Sequence, residues 1–229
     1  MNGTSTHTDV ERPVRVDVGA AELDALLYSP PNARGVVVFA HASASGRHHP
    51  RCRFVASEIQ RGGFAMLQID LLTPEEEQVD QVTAQVRLNT RLLAARIAAA
   101  TDWLEHQPET AALRPGYLGA STGGAALVSA ALRPEQVGAV VLCGGYLDLE
   151  GPVIAQVCAP TLVVLGEHDT LADAASRRAL AALKVEKRLV VVPGVTNLFD
   201  EIGALGKLAR LAMFWFQRHL APAERAVGA

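Results

Sequence analysis

The residues best suited to chemistry in this chain are the six from Gly119 to Gly124, which read GASTGG. They follow the apolar segment 116–118 and precede an Ala-rich segment that begins at Ala125. This is the strand, turn and helix context of a G-x-S-x-G motif, whose small residues let the backbone turn sharply and expose the central hydroxyl. Ser121 is therefore predicted to be a nucleophile, and the backbone N–H of Thr122 is predicted to face a developing oxyanion.

A serine nucleophile needs an acid and a base, which follow it along the chain in that order. Asp169, after the apolar segment 160–165, is predicted to be the acid, with helix capping as its other interpretation and Glu167 as the weaker candidate. Where a histidine is expected, the sequence has Asn197. An amide cannot take a proton from serine at neutral pH, so the predicted catalytic group of Ser121, Asp169 and Asn197 lacks a base.

Two interpretations of Asn197 stay open. In the first, the side chain packs and hydrogen-bonds to Asp169 without any proton role. In the second, its amide orients a substrate or a water molecule. Four other histidines could replace the base, namely His41, His48, His49 and His168. A structural or solvent-facing role is favoured for each, because a general base must first lie within hydrogen-bond distance of the serine hydroxyl, whatever its pKa.

Substrate-binding residues are predicted in the loops around the site. Ala42, Ser43 and His48 follow the apolar segment 36–40 in a loop that should roof the site, and Tyr146 is the nearest aromatic residue of another loop. No metal is expected, because the histidines have no H-E-x-x-H or compact carboxylate pattern around them. No cofactor is implied, and the glycine-rich motif lacks the lysine of a phosphate-binding loop.

The elements that must position these residues alternate along the chain. Short apolar segments, with helical segments between them, predict strands at 36–40, 64–70, 115–119, 137–143, 160–165 and 187–192. An initial hairpin is predicted from strands 14–18 and 22–28. An acidic loop is predicted over 71–80, and one long helix over 81–106.

This alternation predicts a doubly wound, mostly parallel α/β sheet in a single domain without a large cap. The domain is expected to span residues 13–221, with flexible ends at 1–12 and 222–229. In such sheets the chemistry collects at the carboxyl ends of the strands, which is where all the candidate residues lie.

Composition narrows the classes of partner. The chain has 229 residues, of which 49% are hydrophobic, and a net charge of −3 without a basic stripe, so no nucleic acid is expected as a partner. Residues 1–12 lack the apolar core of a signal peptide, and no stretch approaches the ~20 residues of a membrane helix. A cytoplasmic protein with a small-molecule substrate and no membrane partner is expected, and a homodimer stays open. Cys143 and Cys158 are predicted to be core thiols.

Five segments together resemble the α/β-hydrolase superfamily and its dienelactone-hydrolase-like branch. They are FAHASASGRHHPR at 39–51, LQIDLLTPEEE at 67–77, LGASTGGAA at 118–126, APTLVVLGEHD at 159–169 and VVPGVTNLFDEIGAL at 191–205. The resemblance extends from about Val14 to Leu220, and it is closest to a small serine-containing branch that is sometimes fused to phosphoribosyltransferases. It implies Ser121 as nucleophile and Asp169 as acid.

The chain departs from this family at three positions. The family normally has histidine where this sequence has Asn197, and it usually has glycine where this sequence has Ala42 and Ala44. The added methyl groups narrow the pocket or disfavour a positive φ in the oxyanion loop. Both kinds of change fall on the catalytic machinery, while the scaffold motifs are intact.

Three functions follow as hypotheses. The favoured one is an enzyme that hydrolyses a small ester, lactone or thioester through Ser121 with an impaired or altered triad. The second is a repurposed enzyme that uses Ser121 and Asn197 as hydrogen-bonding groups for cyclisation, elimination or proton transfer. The third is a non-catalytic small-molecule-binding or scaffold protein.

Overall fold

The fold is built on one eight-stranded sheet. The computed structural model describes residues 11–43, 45–120, 122–144 and 151–220. Its strands are β1 (Arg12–Asp17), β2 (Glu22–Tyr28), β3 (Val36–His41), β4 (Ala65–Asp70), β5 (Pro115–Ala120), β6 (Ala139–Cys143), β7 (Thr161–Gly166) and β8 (Lys187–Val192). Their order across the sheet is β1-β2-β4-β3-β5-β6-β7-β8.

The prediction of a mostly parallel sheet in a single domain is confirmed. Strands β1 and β2 form an antiparallel hairpin, and β2 also pairs antiparallel with β4. The other six strands, β4, β3, β5, β6, β7 and β8 in their order across the sheet, run parallel to one another. Every residue of β3, β4 and β7 is buried, as their uninterrupted apolar sequences require.

Helices cover both faces of the sheet. They are α1 (Pro50–Arg61), α2 (Pro74–Thr83), α3 (Thr90–Glu105), α4 (Gly123–Leu132), α5 (Gly151–Ile154), α6 (Thr170–Ala182) and α7 (Ala204–His219), and a 3-10 turn spans Gly46–His48. Along β3, Val37 and Phe39 pack in one core with α1 and α7, whereas Val36 and Val38 pack in the other core with α3, α4 and α6. This alternation follows from the two-residue repeat of a strand.

The prediction for residues 71–106 is wrong. Instead of a loop and one long helix there are two helices, α2 and α3, separated by a turn. Thr73 and Glu76 form a reciprocal capping box at the start of α2, and Ala84 ends this helix in a left-handed conformation with φ 54°. Asn89 caps α3. The long helix was predicted because the apolar periodicity continues across the turn. The capping residues nevertheless determine where each helix begins, and the T-x-x-E signature of the first cap is present in the sequence.

Two smaller findings complete the fold. Cys143 is buried as predicted, but Cys158 is exposed, because it lies in the turn before β7 rather than in the strand. No helix in the part of the chain that the structure describes has the length and apolar character needed to cross a membrane.

Candidate active site

The carboxyl ends of the parallel strands gather the candidate residues at one edge of the sheet. His41, Ala120, Cys143, Gly166 and Val192 are the last residues of β3, β5, β6, β7 and β8. The strand register places Ala120 opposite Cys143 and Gly166 opposite Val192. The loops that follow these strands therefore meet at one edge, where sites of open α/β sheets are expected.

The junction between β5 and α4 is as tight as the GASTGG motif predicts. A Cβ added to Gly119 would lie 3.1 Å from the Cα of Gly123, so the strand closely approaches the start of the helix. The buried Thr122 donates its hydroxyl to the carbonyl oxygen of Ala40 at 3.0 Å, which ties the turn to β3. Ser121 lies outside the described residues, and its role as nucleophile and that of Thr122 as oxyanion donor stay predictions.

Asp169 caps a helix with one carboxylate oxygen and keeps the other unpartnered. Its Oδ1 accepts a hydrogen bond from the backbone N–H of Ala172 at 3.3 Å, in the first turn of α6. Its Oδ2 is buried and has no hydrogen-bond partner among the described residues. A Cβ added to Gly144 would lie 3.7 Å from Oδ2. Helix capping therefore uses only Oδ1, and Oδ2 is left to accept a hydrogen bond from a donor at the sheet edge.

Asn197 packs against the same glycine. Its backbone carbonyl oxygen would lie 3.2 Å from a Cβ added to Gly144, whose φ of 59° falls in the left-handed region that favours glycine. The Asn197 backbone and the Asp169 carboxylate therefore both approach Gly144, and a hydrogen bond between the two side chains stays a prediction.

Backbone contacts hold the loop that carries Asn197 against the end of β7. A Cβ added to Gly166 would lie 2.2 Å from the carbonyl oxygen of Val195, so a larger residue would push this loop away. Two carboxylates accept hydrogen bonds from the loop backbone, Glu167 from Gly194 at 2.7 Å and Glu201 from Thr196 at 2.9 Å. Glu167, the weaker candidate for the acid, is therefore engaged in holding the loop.

A buried ion pair fastens the loop that follows β3. Arg47 donates its backbone N–H to Oδ1 of Asp70 at 3.0 Å and its guanidinium to Oδ2 of the same carboxylate. Asp24 lies 3.5 Å from this guanidinium. Burial raises the pKa of the Asp70 carboxyl, and hydrogen bonds and charge from Arg47 act against that rise. Sequence reasoning missed this pair, and its only signal was an aspartate at the end of an apolar strand.

A cavity of about 390 Å³ opens at this edge, between the sheet and helices α1 and α7. Three predicted site residues line it, Ala42, Ser43 and Asn197, and so does Ala120, which directly precedes Ser121. His48 is exposed and is not among the lining residues, so its binding role stays a prediction. Tyr146 and Ala44 lie outside the described residues.

The histidines considered as bases have different environments. His48, His49 and His168 are exposed, whereas His41 is buried beside the ring of Phe39, at 4.3 Å between ring centroids. Burial, followed by the charges of Arg47 and His49, lowers the pKa of His41 from 6.5 to about 3. A neutral imidazole with so low a pKa is a poor general base, but its buried Nε2 has no partner among the described residues.

We expect His41 to govern part of the pH dependence of stability. Between pH 6.5 and about 3 the unfolded chain binds a proton at this imidazole that the folded protein does not bind. The free energy of unfolding should therefore fall as the pH decreases through this range, by up to ~1.4 kcal/mol per pH unit. Urea unfolding at pH 7, 6 and 5 measures this slope.

His41→Phe should reduce this slope, because it removes the titrating group and keeps a ring of similar shape. His219, whose pKa burial also lowers, adds a slope of the same sign in both proteins. His106→Phe, at an exposed position, is the matched control. Equal slopes in the wild type and His41→Phe would contradict the expectation.

The described residues contain no cluster of side chains suited to bind a metal ion. In residues 11–43, 45–120, 122–144 and 151–220, no group of three or more His, Cys, Asp or Glu side chains could hold a metal ion.

The sheet order, the tight β5–α4 junction and the loops at its carboxyl edge define the α/β-hydrolase fold. Residues 23–202 match the dienelactone hydrolase family, and the chain belongs to that family. A crystal structure of dienelactone hydrolase from Anabaena variabilis is 48% identical, covers 92% of this chain and 98% of its own, and superposes with a TM-score of 0.88.

Two further comparisons extend this result. A Mycobacterium tuberculosis protein named "Putative phosphoribosyl transferase" is 46% identical over 211 residues, which are 92% of this chain but only 47% of that protein. This chain thus spans about half the length of that relative. A dienelactone hydrolase-like promiscuous phosphotriesterase from metagenomic libraries is 18% identical with a TM-score of 0.76, which shows a common fold alone.

Proposed function

We propose that this protein hydrolyses a small ester, lactone or thioester through Ser121, with Asp169 and Asn197 as the other members of an altered triad. The observation that carries the proposal is the shared cavity: Ala120, which precedes Ser121, lines the same cavity as Asn197. The unpartnered Oδ2 of Asp169 near Asn197 supports the same assignment. Membership of a hydrolase family supports the reaction class.

In the proposed reaction, the hydroxyl oxygen of Ser121 adds to the carbonyl carbon of the substrate. The serine proton passes to water in the cavity, because Asn197 cannot accept it. The bond between the carbonyl carbon and the leaving group then breaks, and the departing alkoxide or thiolate takes up the proton from water. A second water molecule, oriented by the Asn197 amide, adds to the acyl-serine, which releases the acid and regenerates the Ser121 hydroxyl. Because no protein base or acid assists the reaction, substrates whose leaving groups depart without being protonated should be hydrolysed fastest.

The proposal does not include phosphoribosyl transfer. The relative that carries this name is about twice as long, and the half that matches this chain corresponds to the hydrolase domain. An activity of the whole relative therefore gives no reason to assign transfer chemistry to this chain.

The test is hydrolysis of p-nitrophenyl acetate by the wild type and by Ser121→Ala. We expect the wild type to exceed the uncatalysed rate by ~10³–10⁴-fold, since binding and charge stabilisation survive the loss of a triad member. Mass spectrometry should find an acyl group on Ser121, and a fluorophosphonate should label this serine slowly. Ser121→Ala should lose the acyl group and the labelling.

Ser57→Ala, the same substitution outside the cavity, serves as the control and should keep both properties. Rapid labelling of the wild type would contradict the absence of a base and indicate that a histidine has taken over the task. A wild type with neither an acyl group nor a fluorophosphonate label on Ser121 would reject the nucleophile and leave the repurposed or non-catalytic functions.

A further inference from the structure

The walls of the cavity are apolar and belong to the protein core. Phe39, Val55, Cys143, Phe199 and Leu208 line it, and each is at most 8% exposed. They belong to the core that packs the sheet against α1 and α7. This part of the cavity therefore extends the core toward the site, and an apolar group that enters it leaves water. Exposed residues line the cavity as well, among them Ser45, His49 and Leu198.

The charged groups at the cavity are already compensated. Arg51 is the arginine of the lining, and its guanidinium donates to the carbonyl oxygen of Leu198 at 3.0 Å and to Oδ1 of Asp200 at 2.7 Å. No Asp, Glu or Lys is among the lining residues that the structure describes.

Burial favours the neutral form of three further titratable groups of the lining, whereas His49, which also lines the cavity, is exposed. Burial lowers the pKa of His41 to about 3 and raises that of the Cys143 thiol to about 12. Burial also raises the pKa of the Cys52 thiol. A charged group on a ligand that enters the buried part of the cavity would lose its hydration beside these neutral side chains, and such burial is unfavourable.

One buried side-chain polar atom of the lining residues has no partner in the part of the chain that the structure describes. Nε2 of His41 is buried at the cavity and has no hydrogen bond among the described residues. As part of a neutral imidazole it can donate or accept one hydrogen bond, depending on the tautomer. It is therefore a fixed anchor for a single carbonyl, amide or hydroxyl group.

From these features we propose that the cavity binds the apolar part of a neutral acyl compound, with Nε2 of His41 hydrogen-bonded to its polar end. This assignment of a substrate class rests on the proposed function. It predicts a preference for uncharged aliphatic esters, lactones or thioesters over substrates that carry a carboxylate.

Binding can be tested without any hydrolysis. Hexanamide has an apolar chain and a polar end but no ester bond, and adipic acid monoamide adds a carboxylate to the far end of that chain. Ligand-observed NMR titration should give a dissociation constant at least tenfold lower for hexanamide than for the monoamide. His41→Phe should weaken hexanamide binding by about tenfold, the usual value of one hydrogen bond.

Leu205→Trp is the variant that fills the cavity. Leu205 is half-buried and lines the cavity from α7, so a larger side chain can be accommodated without opening the core. It should abolish hexanamide binding. Leu88→Trp, at a position 73% exposed, is the matched control and should bind as the wild type does.

Turnover gives a second, separable readout. With p-nitrophenyl acetate, butyrate and hexanoate, kcat/KM should rise by about fourfold per methylene until the chain fills the cavity, the value expected from burial of one CH₂ group. The monoester of adipic acid should react at least tenfold more slowly than the hexanoate.

The outcomes separate the two proposals. Binding of hexanamide that is lost in Leu205→Trp, with no hydrolysis of any ester, supports the binding site and rejects the proposed hydrolysis. Hydrolysis with no chain-length dependence, or with a preference for the carboxylated ester, overturns the substrate class while the hydrolytic function stands. Hexanamide binding that Leu205→Trp leaves unchanged also overturns it.

Discussion

Replacing Asn197 by histidine should raise the rate of p-nitrophenyl acetate hydrolysis by ~10²–10⁴-fold, the range that general-base assistance usually provides. Asn197 and Ala120 both line the cavity, and the Asn197 backbone and the Asp169 carboxylate both approach Gly144. The buried Oδ2 of Asp169 has no donor among the described residues. An imidazole at position 197 could donate one N–H to this oxygen and present its other nitrogen to the Ser121 hydroxyl.

The pH profile and two variants distinguish a new base from a change in packing. Activity of Asn197→His should rise with pH through ~6.5, where an imidazole becomes neutral. Asn197→Gln, a longer amide, should stay within a few-fold of the wild type, and Ser121→Ala in the Asn197→His background should lose the gain. A similar gain with glutamine would contradict the general-base explanation.

A folded Asn197→His variant without any gain would identify a different defect. Ala42 and Ala44 lie where the sequence resemblance implies glycines, and Ala42 lines the cavity. A base achieves little without stabilisation of the oxyanion. Adding Ala42→Gly and Ala44→Gly to Asn197→His should then produce the increase in hydrolysis rate that Asn197→His alone did not. If this combination also leaves every activity unchanged, the triad-derived assignment of the site is wrong.

The second large effect concerns the buried ion pair. Arg47→Met should lower the free energy of unfolding by about 3–5 kcal/mol, because Asp70 would stay buried without its cation. The Asp70 side chain is 1% exposed and that of Arg47 is 14% exposed. Urea denaturation followed by circular dichroism measures the loss. Activity should fall as well, because Arg47 fastens the loop that carries Ala42 and Ser43.

A second substitution separates the lost charge from lost packing. In Arg47→Met/Asp70→Leu no charge is left buried, and most of the stability should return. The control is Arg15→Met, in which an arginine with a 61% exposed side chain loses its pairing with Asp24 and Glu22. This change should cost at most ~1 kcal/mol. If Arg47→Met costs no more than the control, the ion pair does not stabilise the loop.

Much of the fold could be predicted from local sequence patterns. The uninterrupted apolar segments, such as residues 36–40, predicted buried parallel strands because only strands covered on both faces tolerate such composition. The GASTGG segment predicted a tight strand-to-helix junction because its small residues permit close backbone approach. Where local patterns compete the sequence was harder to interpret, as in residues 71–106, where helix caps prevailed over periodicity.

The candidate site also has features that follow from local sequence and features that depend on the tertiary structure. The sequence alone located the carboxyl ends of the parallel strands to within one residue, because apolar segments and the polar residues after them are local features. Only the tertiary structure decided that Arg47 and Asp70 pair, that Gly144 lies between Asp169 and Asn197, and that His41 is buried and neutral. These properties depend on distances between loops that are far apart in the chain and on exclusion of water, and neither is encoded in the spacing of residues.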